Sequence, residues 1–307
     1  MLWVLLQLAV VNLDVLNVRH RATRPRAMVG LRGDGQQRAL GRRGSHKERR
    51  LQLPDMNSLR AAELPLSARL DARCRPSGCA LLHQRWHGLV FLHWAFPPGK
   101  LGSLVPDGLN LDLFEGQAWV GITPFRVSHM RPTLLPPLPG LSEANEINVR
   151  MYVHRDGIPG IWFPSLEITN RLALWSARIA YRLPYFHARM HVAQKDGLFS
   201  FRSERSGGGA RHAIFDLQWQ RGEPLEPATP GTLEFFLTER YVLYSGDPGH
   251  LKRARIHHRP WPLRGAEVLR LVSTLLEANG IPVPDGPVLA LAQGEPFDVE
   301  VWPPSDL

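Results

Sequence analysis

The 307 residues are 44% hydrophobic and 21% charged, an ordinary globular composition that excludes disorder of the whole chain. Two cysteines are too few for the disulfide framework of a small secreted domain, so a cytoplasmic setting is expected. The formal charge of +9 sits almost entirely in residues 19–50, where eleven Arg and Lys face only Asp34 and Glu48; the rest is nearly neutral, and nucleic acid is not expected as a partner of the folded domain.

Met1 to Leu13 is apolar but shorter than the roughly 20 residues a membrane span needs. Its basic residues follow the apolar run, with no Ala-x-Ala site, so neither membrane insertion nor secretion is expected. Residues 19–50 carry no sustained apolar period and cannot bury a core, which predicts a disordered Arg-rich extension over 1–55. Three readings compete for it: a basic nucleic-acid arm, a targeting peptide, or sequence translated upstream of the true start. Arg outnumbers Lys by 33 to 4, as in GC-rich coding sequence, and Met56 precedes the domain, so the third is preferred.

Residues 56–307 read as one mostly β domain. Strands are predicted at 89–96, 117–125, 146–154, 160–168, 188–193, 198–203, 213–219, 233–244 and 297–302, all rich in aromatic and β-branched residues. Asp196-Gly197 after Lys195 signals a hairpin. Helices are predicted over 171–181, capped by Asn170, and over 266–280, closed by Gly280. Gly207, Gly208 and Gly209 form a loop without the lysine of a phosphate cradle.

The strand Glu146 to His154 alternates strictly. Glu146, Asn148, Arg150, Tyr152 and His154 share one face, while Ile147, Val149, Met151 and Val153 share the other. On an open sheet the polar face would be solvated. Inside a closed barrel it would line an interior, where the carboxylate and guanidinium acquire shifted protonation and binding power.

The segments HQRWHGLVFLHW (83–94), LVPDGLNLDLFEGQAWVGITPF (104–125), RPTLLPPLPGLSEANEINVRMYV (131–153), ARIAYRLPYFHARM (177–190), LTERYVLY (237–244) and HHRPWPL (257–263) resemble, in this order, the YqjF-like family of uncharacterised conserved proteins, over about 81–302. That family is similar to the acetoacetate decarboxylases, which implies a mixed β-barrel with packed helices and a ligand cavity. Those decarboxylases form a Schiff base on a lysine whose amine a second lysine keeps unprotonated, in a pattern of Gly-Arg-Glu followed by Pro-Lys-Lys. Here Arg178 resembles the arginine and Pro184 the proline, and Tyr185 and Phe186 stand where the lysines would be. The resemblance also makes Arg85 and Glu146 cavity residues, with a second cavity glutamate replaced near Gly121. Together with Arg150 from the polar face, the pocket candidates are Arg85, Glu146, Arg150, Arg178 and Tyr185.

Cys74, Cys79, His83 and His87 have the donor types of a zinc site but match no strong spacing, so no metal is expected. His93, His257 and His258 read as structural. Glu239 and Tyr241 are expected on one side of a strand and Arg240 on the other, each with partners from neighbouring strands. The expected function is a small-molecule cavity for an organic acid or carbonyl compound, without cofactor and without imine chemistry. The alternative is an interaction or nucleic-acid-binding protein that works through the basic arm. The oligomeric state is not legible.

Overall fold

The computed structural model describes residues 61–140, 142–205, 211–284 and 288–307. The expected disordered extension with its Met56 start, and the loop at Gly207–Gly209, lie outside the described residues. No helix among the described residues is long and apolar enough to cross a membrane.

Mostly strands make up this part of the chain, in the order β1 (Ala61–Ala62), α1 (Leu66–Arg73), β2 (Leu82–His87), β3 (Val90–Phe96), α2 (Pro98–Leu101), β4 (Asn110–Asp112), β5 (Ala118–Pro132), β6 (Ala144–Arg155) and β7 (Ile158–Ile168). Then follow α3 (Arg171–Tyr181), β8 (Tyr185–Lys195), β9 (Leu198–Arg205), β10 (Ala213–Pro224), α4 (Leu233–Thr238), β11 (Val242–Asp247), β12 (His250–His257), β13 (Leu263–Ser273), α5 (Leu275–Ala278), β14 (Leu289–Gln293), β15 (Phe297–Val301) and β16 (Ser305–Asp306). Asp156-Gly157 and Asp196-Gly197 join β6 to β7 and β8 to β9. Both residues of each pair have positive φ, the type I′ geometry whose twist matches antiparallel strands.

The pairing closes on itself twice around a shared centre. One circuit runs β6, β5, β2, β15, β12, β11, β7 and back to β6; the other runs β6, β5, β3, β14, β13, β10, β9, β8, β7 and back. The long strands β5, β6 and β7 therefore have sheet neighbours on both edges and protein on both faces. The apolar face of β6, with Ile147, Val149, Met151 and Val153, packs in one cluster with Phe201, Phe215, Leu217 and Trp219 from β9 and β10. The polar face is buried as well: Glu146, Asn148, Arg150, Tyr152 and His154 are each at most 8% exposed. The open-sheet expectation of a solvated face is thus overturned, because β6 is buried on both faces.

Two expected elements are different. Residues 266–280 form not one helix but the end of β13 followed by the short α5. A bulge is the cause: Trp219 pairs with Val268 and Gln218 with Arg270, so Leu269 is an extra residue. Apolar residues at 266, 268 and 271 then all meet the core, a spacing that imitates a helix in the sequence. In the expected strand 233–244, the Thr232 hydroxyl accepts from the Phe235 N–H and starts α4, and the strand begins only at Val242. Lys252 lies on β12 and pairs with Asp306 at 2.6 Å.

Candidate functional site

Helix α3 brings part of the expected pocket together. Asn170 accepts from the Leu172 and Ala173 N–H groups, and Arg182 ends the helix in the left-handed conformation at φ 50°, which turns the chain into β8. Arg178 then donates to the Tyr185 carbonyl, with Nε at 2.8 Å. β8 runs parallel to β7, placing Tyr185 opposite Leu166, and the Tyr185 hydroxyl donates to Glu146 Oε1 at 3.1 Å. Ala173, Leu174, Ala177 and Tyr181 of α3 pack over the cluster that contains Tyr185.

Burial dominates the chemistry of this pair. It pushes the Glu146 carboxyl up to about 8, against the smaller opposing effect of the Tyr185 hydrogen bond, so the side chain is a neutral acid at pH 7. Tyr185 is raised well above the ordinary phenol value, first by burial and then by the adjacent Glu146, and stays protonated. The pair is thus a carboxylic acid and a phenol held together, with the proton of the acid exchangeable in mildly alkaline solution.

The other candidates lie apart. Arg85 points outward from β2, 44% exposed, and pairs with Asp298 of β15 at 2.8 Å. Arg150 shares the polar face with Glu146 but makes no bond to it. In register, His93 of β3, Gly121 of β5 and Arg150 stand side by side, and Arg150 Nη2 lies 3.1 Å from His93 Nε2 and donates to the Leu237 carbonyl at 2.9 Å. A Cβ on Gly121 would come within 2.9 Å of the His93 ring and 3.1 Å of Arg150 Nε, so the missing side chain is what lets the two meet. His93 Nε2 is also 2.7 Å from the Tyr152 hydroxyl.

Sequence reasoning did not foresee this second group. Arg240 Nη1 donates to Asp112 at 2.6 Å, Arg69 holds the same carboxylate with both Nη atoms, and Arg240 Nε donates to the Phe236 carbonyl. Glu239 accepts instead from Tyr241, its near neighbour in sequence, and from the Trp261 N–H. Glu239, Arg240 and Tyr241 all lie in the bend between α4 and β11 and not on a strand, so the expectation of partners from neighbouring strands is met only in that Arg240 reaches Asp112 of β4. In the other circuit, Arg205 and Glu167 form a buried ion pair at 2.8 Å, tied to Ser165 and Ser203. Cys74 and Cys79 are exposed and unpaired, and among the described residues no three His, Cys, Asp or Glu side chains are placed to share a metal ion. Surface depressions of about 320 and 440 Å³ are lined by other residues, from Ala68 to Arg255 and around His191 and Gln218.

Comparison with known proteins places this architecture. A Bacillus subtilis (strain 168) protein described as uncharacterized protein YqjF is 36% identical over 229 residues, covering 74% of this chain and 93% of its own. Among solved structures, acetoacetate decarboxylase from Legionella pneumophila superposes with a TM-score of 0.52 at 11% identity, covering 78% of this chain and 94% of that one. The enduracididine biosynthesis enzyme MppR complexed with pyruvate superposes with a TM-score of 0.51 at 12% identity, covering 75% and 91%. At these identities the likeness is one of fold. With residues 83–296 matched by its family model, the chain belongs to the DUF2071 family of uncharacterized conserved proteins.

Proposed function

We propose that the chain binds a small organic acid or carbonyl compound in its polar interior and moves a proton on it with Glu146 and Tyr185, without forming an imine. The observation that carries this reading is the buried Glu146–Tyr185 pair, with its carboxyl raised to about 8. An ionised carboxylate placed there takes a proton from the carbon next to a carbonyl, and the phenol donates to the oxygen on which charge develops. A general base works best with a pKa near the working pH, and burial brings Glu146 there.

Among the described residues, the lysines support a reading without imine chemistry. Lys100 and Lys195 are exposed, Lys252 is ion-paired with Asp306, and Tyr185 and Phe186 stand at the positions where the decarboxylase pattern has its lysines. The exposed, unpaired cysteines fit a cytoplasmic setting. A solved structure of similar fold holds pyruvate, which makes pyruvate the first compound to try.

The test is exchange of the pyruvate methyl protons for deuterium, followed by NMR. Exchange catalysed by the chain, rising with pH through about 8 and lost in Glu146→Gln, is the expected result. No exchange above the buffer rate, or a borohydride-trapped adduct on any lysine, refutes the proposal.

A further inference from the structure

Around the Tyr152 ring the interior carries more positive than negative charge. Tyr152 is fully buried, and the Arg150 guanidinium lies 5.4 Å from its ring centroid while that of Arg240 lies 4.9 Å from it. Arg150 and Arg240 are 6% and 4% exposed. Asp112 is the carboxylate of this group, and it already serves Arg69 as well as Arg240. Arg150 has no carboxylate neighbour; its partners are the Leu237 carbonyl, the His93 ring and the faces of Phe91 and Tyr152. Two guanidiniums thus share one carboxylate and the third has none, in a region where an isolated charge costs several kcal/mol.

Buried polar atoms without partners on this face include Asn148 Oδ1, Thr123 Oγ1 and both ring nitrogens of His154, and three further ones are obligate donors. Arg150 Nε, Arg240 Nη2 and Trp119 Nε1 are buried donors with no acceptor. His93 Nδ1 is also without a partner: it is a donor when Nε2 accepts from Arg150, and an acceptor when Nε2 donates to the Tyr152 hydroxyl, which itself donates to the Leu237 carbonyl. All four residues adjoin Tyr152: His93 through its hydroxyl, the arginines over its ring, and Trp119 in the cluster it forms with Phe236 and Leu237. Excess positive charge together with unused donors is complementary to an anion, and a guanidinium presents its N–H groups in the fork that a carboxylate matches.

We propose that the Arg150–Tyr152–Arg240 cluster is an anion site that takes the carboxylate of a small organic acid. This rests on the reading of the interior as a site for such acids and assigns the groups that hold the acid end. Arg150 stands four residues from Glu146 on the same strand face, about 13 Å away at the usual strand rise. A molecule that reaches both groups therefore carries its carboxylate several bonds from the reacting carbon; pyruvate is short enough to reach Glu146 alone, and a longer oxoacid gains the second contact at Arg150.

Acetate is the probe, because it presents the carboxylate without a carbonyl to enolise. Titration of the full chain with acetate at low ionic strength, followed by calorimetry and by ¹⁵N-histidine NMR, is expected to show saturable binding and a shift of the His93 nitrogens. Arg150→Met is expected to weaken acetate at least tenfold. Absence of saturable binding to the wild-type chain overturns the assignment, as does binding that leaves His93 unmoved or is unchanged in Arg150→Met. Should that variant fail to fold, the His93 shift in the wild-type chain still decides. Binding of chloride without acetate also overturns it. Acetate binding without pyruvate exchange keeps the anion site and sinks the proton-transfer reading; Glu146-dependent exchange with acetate indifferent to Arg150 does the reverse.

Discussion

Replacing Glu146 with Gln separates the cost of burying an ionisable group from the cost of losing a hydrogen bond. In the unfolded chain the carboxyl titrates near 4.5, and in the folded chain near 8. Below the lower value both states hold the proton and the residue is neutral to stability. Between the two values the folded state keeps a proton that the unfolded state has released, so stability falls as pH rises, and above about 8 the loss is complete. At about 1.4 kcal/mol per unit, the full loss is about 5 kcal/mol, of which about 3 is already present at pH 7. Gln cannot titrate, but its amide N–H groups need acceptors, a fixed cost of about 1 kcal/mol. Glu146→Gln is therefore expected to be slightly less stable than the wild type at about pH 5 and more stable by several kcal/mol at about pH 9, read from urea unfolding at each pH. Titration of all other groups cancels in the difference. A difference that stays flat over this range would show that Glu146 is ionised and solvated in the folded chain, and the reasoning would fail.

Tyr185→Phe removes the hydroxyl that donates to Glu146; a loss of about 1 kcal/mol is expected, with the Glu146 midpoint moving higher, because that bond favours the ionised carboxylate. An unchanged midpoint in the Phe variant would separate the two residues. Gly121→Ala places a methyl 2.9 Å from the His93 ring, and about 1–3 kcal/mol of destabilisation is expected from the forced repacking; a neutral effect in urea unfolding would contradict the close approach. Arg205→Met leaves Glu167 buried without its cation, at an expected cost of about 3–5 kcal/mol. Adding Glu167→Met should restore most of that stability, and if it does not, the pair is not coupled as described.

What the sequence could reveal depended on how local the signal was. The alternation of β6, the Asn170 cap of α3 and the Asp-Gly hairpins are written in neighbouring residues, and all are present. The bulge at Leu269 is not, since an extra residue in β13 is defined only by its pairing with β10. Burial of the polar face of β6 was equally hidden, because it depends on both circuits of strands closing through β5 and β7. Glu146, Arg178 and Tyr185 were found through family resemblance, and the contact of Tyr185 with Glu146 then followed from the parallel pairing of β7 with β8. Arg85 was expected near them, but β15 brings Asp298 opposite it on the outer face. The Tyr152 cluster draws on Arg69, His93, Asp112, Arg150 and Arg240, spread over most of the domain. One local signal pointed to it, a glycine at 121 within an apolar strand, the mark of a close side-chain approach.

The central claim is that Glu146 holds a proton in the interior at neutral pH, releases it near pH 8 and then serves as a base toward a bound organic acid. Infrared difference spectroscopy of the full chain, with and without pyruvate, reads that proton directly through the carbonyl stretch of a protonated carboxyl. The account predicts a protonated band at pH 7 that titrates away near 8, is missing in Glu146→Gln and changes when pyruvate is added. A Glu146 that is already ionised at pH 7, or a band indifferent to pyruvate, would contradict it.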